Sequence, residues 1–126
     1  MRLTLLILFL FYICNASSLE IKSWKTSQGS LVMYYNTPEI PMADIRLVFS
    51  AGSVRDGKKY GISRMANKLL LEGSGDLNSK QFKEKLSETG AQLYVGSMRE
   101  MAFINMRTLT DPKYYESAIA LLISAV

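Results

Sequence analysis

The amino-acid sequence predicts an α+β domain, in which helices pack on one face of a mixed, largely antiparallel sheet. Short runs rich in β-branched and aromatic residues are separated by turn residues, a pattern typical of antiparallel strands. Three other segments space their apolar residues at helical intervals. Nearly half of the 126 residues, 48%, are apolar, which is enough to form the core of one small domain.

The N-terminus predicts export from the cytoplasm. Arg2 precedes an apolar run over residues 3–14, and the small and polar residues NASS follow it. This is the pattern of a signal peptide, and the run is shorter than the roughly 20 residues that a membrane-spanning helix needs. We predict a signal peptide over residues 1–18 that is removed after Ser18, which leaves a periplasmic or secreted protein with no stable membrane insertion. Cleavage after Ala16 and a retained membrane anchor are the alternatives.

Composition excludes several classes of function. Cys14 is the only cysteine and lies in the predicted signal peptide, so the mature chain has no disulfide. The net charge is +4, and the basic residues are spread along the chain, which argues against a nucleic-acid partner. Histidine is absent, which removes the usual general base and the usual zinc ligand. We therefore expect no cofactor.

The first elements are strands. Residues 21–26 and 31–36 have strand composition and are joined by the turn SQGS at 27–30, which predicts a hairpin. A third strand follows Pro41, and its apolar residues alternate as in a strand with one buried face. These alternating residues are Ile45, Leu47 and Phe49.

A glycine-rich, charged loop over residues 52–61 leads into the first helix, within the segment GISRMANKLLLEGS at 61–74. Its apolar stripe consists of Ile62, Met65, Ala66, Leu69 and Leu70. Arg64, Asn67 and Lys68 share the opposite face, and such residues form either a solvated face or a site. We expect the helix to end near Gly73, which can serve as its C-cap.

Two more helices and two more strands follow. Ser79 is the expected N-cap of the second helix, with a narrow apolar stripe of Phe82 and Leu86, and Gly90 closes it. The inward residues of the next two strands are predicted to be Leu93, Val95, Ala102, Ile104 and Met106.

The third helix begins with Asp111 as its cap and Pro112 in its first turn. Its apolar face is predicted to contain Tyr115, Ile119, Leu122 and Ile123. Because the sequence stops at Val126 without a capping signal, we expect a domain that is truncated there.

The order of these elements resembles the N-terminal domain of the pitrilysin/insulinase zinc peptidases, which include the mitochondrial processing peptidases. The resemblance covers roughly residues 31–110. It rests on the strand that ends in FSAGS, the charged loop, the glycine, the amphipathic helix and the GS step. In that family the helix carries the inverted zinc motif G-L-A-H-x-x-E-H-x-x-x-x-G-T, in which two histidines bind the metal and the glutamate activates water.

When the segment is aligned with that motif, Gly61 and Gly73-Ser74 match it, but the residues at the metal-site positions do not. Arg64 takes the position of the first histidine, Asn67 that of the glutamate and Lys68 that of the second histidine. Cationic side chains that only donate hydrogen bonds cannot ligate zinc, and an amide is not a general base. The resemblance therefore implies vestigial metal-site positions, with no catalytic and no metal-binding residue.

The resemblance implies that residues 19–126 are the N-terminal part of an insulinase-like peptidase domain. An exported, catalytically inactive subunit of this kind would complete the peptide-binding chamber of a homologous zinc-bearing subunit and hold the peptide substrate. Two alternatives remain open at this stage. The chain is a stand-alone exported α+β binding module, with the three polar residues as a solvated face, or a peptidase whose catalytic residues lie beyond residue 126.

Overall fold

A computed structural model of the protein describes residues 20–126. The predicted signal peptide at 1–18 lies outside the described residues. The chain divides into two compact units, Met1–Glu39 and Ile40–Val126.

The described part of the first unit is a β-hairpin, as predicted. β1 (Ile21–Lys25) and β2 (Leu31–Tyr35) pair antiparallel, with Trp24 opposite Val32. The turn is closed by the Thr26 N–H, which donates to the Ser30 carbonyl at 2.9 Å. Each strand ends one residue earlier than the sequence pattern indicated.

The second unit contains the sheet and the helices. In chain order its elements are β3 (Met42–Phe49), a 3₁₀ turn (Ser53–Arg55), α1 (Ile62–Leu69), β4 (Gly73–Ser74), β5 (Leu77–Asn78), α2 (Ser79–Thr89), β6 (Gln92–Ser97), β7 (Ala102–Leu109) and α3 (Pro112–Ala125). The sheet is antiparallel and has the strand order β3-β7-β6, while β4 and β5 form a separate short hairpin. None of the helices formed by residues 20–126 combines the length and apolar composition needed to span a membrane.

One face of the three-stranded sheet carries the core, and the helices cover it. Ile104 and Met106 of β7 are fully enclosed and pack with Ala118 and Leu122 of α3. The predicted inward residues of the other strands complete this layer: Ile45, Leu47, Phe49, Leu93 and Val95. The α+β architecture with helices on one face of an antiparallel sheet is therefore confirmed.

The cap of α2 differs from the prediction by one residue. Asn78, not Ser79, is the N-cap: its side chain accepts from the Gln81 N–H at 3.0 Å, and the Gln81 side chain accepts from the Asn78 N–H at 3.0 Å. This reciprocal capping box satisfies two donors at the start of the helix. Ser79 instead donates to Glu72 at 2.7 Å. Gly90 ends the helix in the left-handed conformation, as predicted.

α3 starts as predicted but turns a different face inward. Asp111 caps it by accepting from the Lys113 N–H at 2.9 Å. Ile123, predicted to be inward, is 69% exposed, whereas Leu121 is buried against Phe82 of α2. The buried face is shifted because α3 packs against α2 as well as against the sheet.

α1 ends before the glycine that was expected to cap it. Its last helical residue is Leu69, and Leu70 closes it in a right-handed conformation. Gly73 lies in the β4–β5 hairpin with a φ of 136°, a conformation that favours glycine. Gly73 therefore belongs to the first strand of a short hairpin whose turn is at residues 75–76, and the predicted helix was too long.

Candidate functional site

The residues that contact the sheet from α1 are polar. Asn67 is the only buried residue of the helix, with 5% of its surface exposed. The predicted apolar stripe faces outward: Ile62, Met65 and Leu69 are 48%, 67% and 58% exposed. Leu70, just past the helix, is the one member of the stripe that packs against the core. The alternative in which all three polar residues form a solvated face therefore does not hold for Asn67.

The Asn67 side chain joins α1 to two strands. Its Nδ2 donates a short hydrogen bond to the Gly96 carbonyl of β6 and a longer one, at 3.4 Å, to the Phe103 carbonyl of β7. Gly96 and Phe103 are partners across the β6–β7 pair. Carbonyl oxygens only accept hydrogen bonds, so this environment selects the two N–H donors of an amide. We call this arrangement the Asn67 clamp.

On the opposite face of the sheet, the Phe103 ring lies over Gly96. A Cβ added to Gly96 would collide with that ring, so the close approach requires glycine. The Arg46 guanidinium stacks 4.2 Å from the centre of the Phe103 ring, and the Tyr94 ring meets it edge-on at 6.0 Å. The backbone that Asn67 contacts is thus held in place from its other side.

The N-terminus of α1 is fixed by a residue that the sequence did not single out. The Asp56 carboxylate accepts from the backbone N–H groups of Gly61 at 2.8 Å and Ser63 at 2.9 Å. The hydrogen bond from the Ser63 N–H is the main cause that lowers the pKa of Asp56, and the Gly61 N–H adds to it. The available signal was an aspartate shortly before a helix start without an acidic first turn.

Arg64 and Lys68 point away from the clamp. They lie one turn apart on the exposed surface of α1, and no carboxylate within residues 20–126 forms an ion pair with either. They border a recess of about 300 Å³ that Gly61, Met65, Leu69 and Glu72 also line. The structure thus separates the three predicted site residues into an exposed cationic pair and a buried amide.

These residues do not fit the zinc ion that the inverted zinc motif binds in the family that the sequence resembles. Arg64 and Lys68 carry positive charge and offer no lone pair at neutral pH. The Asn67 amide is directed at backbone carbonyls, and it cannot accept a proton from water. Within residues 20–126, histidine, cysteine, aspartate and glutamate form no group of three or more that could hold a metal ion. The exposed side chains of Arg64 and Lys68 can instead bind anionic groups.

Comparisons with known proteins place this fold. The model of the insulinase family (peptidase family M16) matches residues 31–125. The inactive domain of an M16 peptidase from Pseudomonas fluorescens has 30% sequence identity and a TM-score of 0.82 over 85% of this chain, which corresponds to 26% of that chain. A protease from Helicobacter pylori shares the fold, with 14% identity and a TM-score of 0.73 over 86% of this chain and 26% of its own.

A search of curated proteins gave no significant match. This chain spans about a quarter of the length of the two solved structures. The family model, in contrast, matches most of the chain, from the second strand to the third helix. The protein therefore belongs to the insulinase family of peptidases, M16, as the resemblance of its first helix and flanking segments indicated.

Proposed function

We propose that this protein is an exported, catalytically inactive M16 subunit. It completes the peptide-binding chamber of a homologous zinc-bearing subunit and holds the peptide substrate there. The similarity to an M16 inactive domain at 30% identity supports this proposal. On this proposal, residues 19–126 are the N-terminal part of the peptidase domain, and Arg64, Asn67 and Lys68 are vestigial metal-site positions.

The Asn67 clamp is the observation that carries the proposal. In the inverted zinc motif of active family members, the residue aligned with position 67 is the glutamate that activates water. Here the side chain at this position is buried and donates to the carbonyls of Gly96 and Phe103. A carboxylate in its place would meet two other acceptors and would leave both carbonyls without their donor. The position therefore serves the packing of α1 on the sheet instead of catalysis.

The test measures zinc content and peptide cleavage for the protein alone. It then measures peptide cleavage after the protein is mixed with a homologous subunit that carries an intact H-x-x-E-H motif. The intact protein is dialysed, its zinc content is measured by mass spectrometry, and cleavage of fluorescence-quenched peptides is followed. We expect substoichiometric zinc, no cleavage by the protein alone and faster cleavage by the zinc-bearing subunit when this protein is added.

Two outcomes would contradict the proposal. The first is stoichiometric zinc that is lost in the Arg64→Ala variant. The second is cleavage by the protein alone that a chelator stops and that persists after repurification. The Lys80→Ala variant is the control for the first outcome, because it removes one exposed positive charge from α2 and leaves α1 unchanged.

A further inference from the structure

The outer surface of α1 combines exposed apolar and cationic side chains. We call this surface the α1 patch and define it by Tyr60, Ile62, Arg64, Met65, Lys68 and Leu69. Tyr60, in the loop before the helix, is 93% exposed, and Met65 and Leu69 border the recess between the two cations. An apolar stripe flanked by basic residues is a feature of helices that bind a partner.

Arg64 and Lys68 form no ion pair within residues 20–126, and the Asp56 carboxylate at the start of α1 accepts from backbone N–H groups instead. Residues 58–68 contain four cations, at positions 58, 59, 64 and 68, and no acidic residue. The only carboxylate that lines the recess is Glu72. Its oxygens are already bound by the Lys83 ammonium group, at 2.9 Å, and by the Ser79 hydroxyl. Glu72 therefore pairs with Lys83 and forms no ion pair with Arg64 or Lys68.

The helix dipole favours Lys68, in the last turn of α1, but does not account for the position of Arg64. Arg64 lies in the first turn of α1, where the helix dipole disfavours a positive charge. Arg64 and Lys68 are also like charges at i and i+4, an arrangement that destabilises a helix. Both unfavourable effects would be reversed by a carboxylate bound between the two side chains.

We infer that the α1 patch binds a peptide segment in which acidic side chains stand beside apolar ones. One or two carboxylates contact Arg64 and Lys68, and an apolar side chain enters the recess against Met65 and Leu69. The inference rests on the proposed function, since a subunit that holds peptides needs a surface for them, and it names the chemical class of the segment that is bound.

Two other occupants fit the patch less well. A second copy of this chain, related by a two-fold axis at this surface, would bring the four cations of each copy together. An anionic lipid surface would meet the charges and the apolar stripe. However, a single helix of eight residues offers little apolar area for insertion into a bilayer.

The test uses the intact protein and a fluorescently labelled amphipathic peptide of leucine and glutamate. A matched peptide carries glutamine at every glutamate position. We expect binding of the glutamate peptide only, with an affinity that falls as salt is added. The double variant Arg64→Ala/Lys68→Ala should bind it about tenfold more weakly, because two charge contacts are lost. The Leu69→Gln variant should also weaken binding, because it places a polar group in the recess.

The matched control is Lys80→Ala/Lys85→Ala, which removes two exposed charges from α2 and should change the affinity less than about twofold. The inference is overturned if the glutamine peptide binds equally well, if the control variant loses as much affinity as the α1 variant, or if no peptide binds. It is also overturned if the glutamate peptide does not bind and Arg64 and Lys68 are instead needed for self-association. The same holds if they are needed for binding to phosphatidylserine vesicles and the peptide does not bind. A protein that lacks zinc and peptidase activity yet binds no acidic peptide would refute this inference alone.

Discussion

Asn67 connects a helix to two strands through one amide group. Its Nδ2 reaches the carbonyls of Gly96 and Phe103 from the side of the sheet that the helices cover. A buried polar side chain is stable only when its hydrogen bonds are formed, and this environment accepts donors and not acceptors. Replacement of the residue by a carboxylate therefore has a structural cost, independent of any metal.

At position 67 we expect a clear order of stability among three side chains. Asn67→Ala should lower the free energy of unfolding by about 1–3 kcal/mol, because two carbonyls lose their donor. Asn67→Glu should lower it further, because a carboxylate is placed against those carbonyls. Urea denaturation of the intact protein measures both effects. The neighbouring exposed substitution Lys68→Gln is the control and should change the value by less than about 0.5 kcal/mol. If Asn67→Glu is as stable as the original protein, the clamp does not hold α1.

The sequence placed Arg64, Asn67 and Lys68 on one side of a helix but could not show that Asn67 is buried. Helical periodicity shows which residues share a face of a helix, but it does not show which face packs against the sheet. In this protein that choice depends on Gly96, which is 29 residues from Asn67, and on Asp56, which lies in the loop before the helix. The residue types at the candidate site were therefore predictable, whereas its division into a buried amide and an exposed cationic pair was not.

At the scale of elements, α1 is held by its ends and by polar contacts. The Asp56 carboxylate binds two N–H groups at the N-terminus, the Asn67 clamp follows one turn later, and Leu70 meets the core just after the helix. α2 and α3, in contrast, bury apolar side chains such as Phe82 and Leu122. α1 therefore depends more on hydrogen bonds and on charge than the other helices do.

This dependence predicts a pH effect that Asp56 controls. Its pKa is lowered in the folded state, first by the hydrogen bond from the Ser63 N–H. A group with a lowered pKa stabilises the fold above its unfolded pKa of about 3.9, and this stabilisation is lost as the pH falls through the folded value. We expect the Asp56→Asn variant to be less stable at neutral pH and to lose less stability below about pH 4 than the original protein.

The measurement for Asp56 is the urea midpoint at pH 7 and pH 3 for both proteins. The change in midpoint between pH 7 and pH 3 is compared between the two proteins. Asp44 and Glu72, the other carboxylates with lowered pKa values, contribute equally to both and cancel. The exposed Asp76→Asn variant serves as the control and should follow the original protein. A parallel pH dependence in the original protein and in Asp56→Asn would show that this carboxylate does not stabilise the start of α1.

Most elements were predictable from local patterns, and the errors have identifiable causes. The strands were predictable from turn residues and from the alternation of apolar and polar residues, because successive side chains of a strand point to opposite faces of the sheet. The wrong cap at Ser79 arose because Asn78 and Ser79 are both good N-cap residues and only Asn78 has Gln81 three residues later. The inward assignment of Ile123 failed because the contact of α3 with α2 widens and shifts its buried face.

At the scale of the whole molecule, each unit exposes large apolar side chains. In the described part of the first unit, Leu31 and Met33 of β2 are exposed, and in the second unit the α1 patch is exposed. A two-stranded hairpin is marginally stable by itself, and exposed apolar surface of this kind marks sites of interaction. The chain also spans about a quarter of the length of its solved relatives. The exposed apolar side chains of both units agree with surfaces that bind other proteins or peptides.

The N-terminal residues determine where the whole molecule is expected to be found. A basic start, an apolar run over residues 3–14 and small residues at positions 16 and 18 favour removal of residues 1–18 during export. We expect protein recovered from the export compartment to begin at Leu19, as measured by intact-mass spectrometry. Its thiol content should be zero, because the only cysteine, Cys14, leaves with the signal peptide. A bulky residue before the cleavage point, as in Ser18→Leu, should block this processing, whereas Lys22→Ala should not. Recovery of chains that begin at Met1 and contain one thiol from the membrane fraction would instead establish a retained anchor.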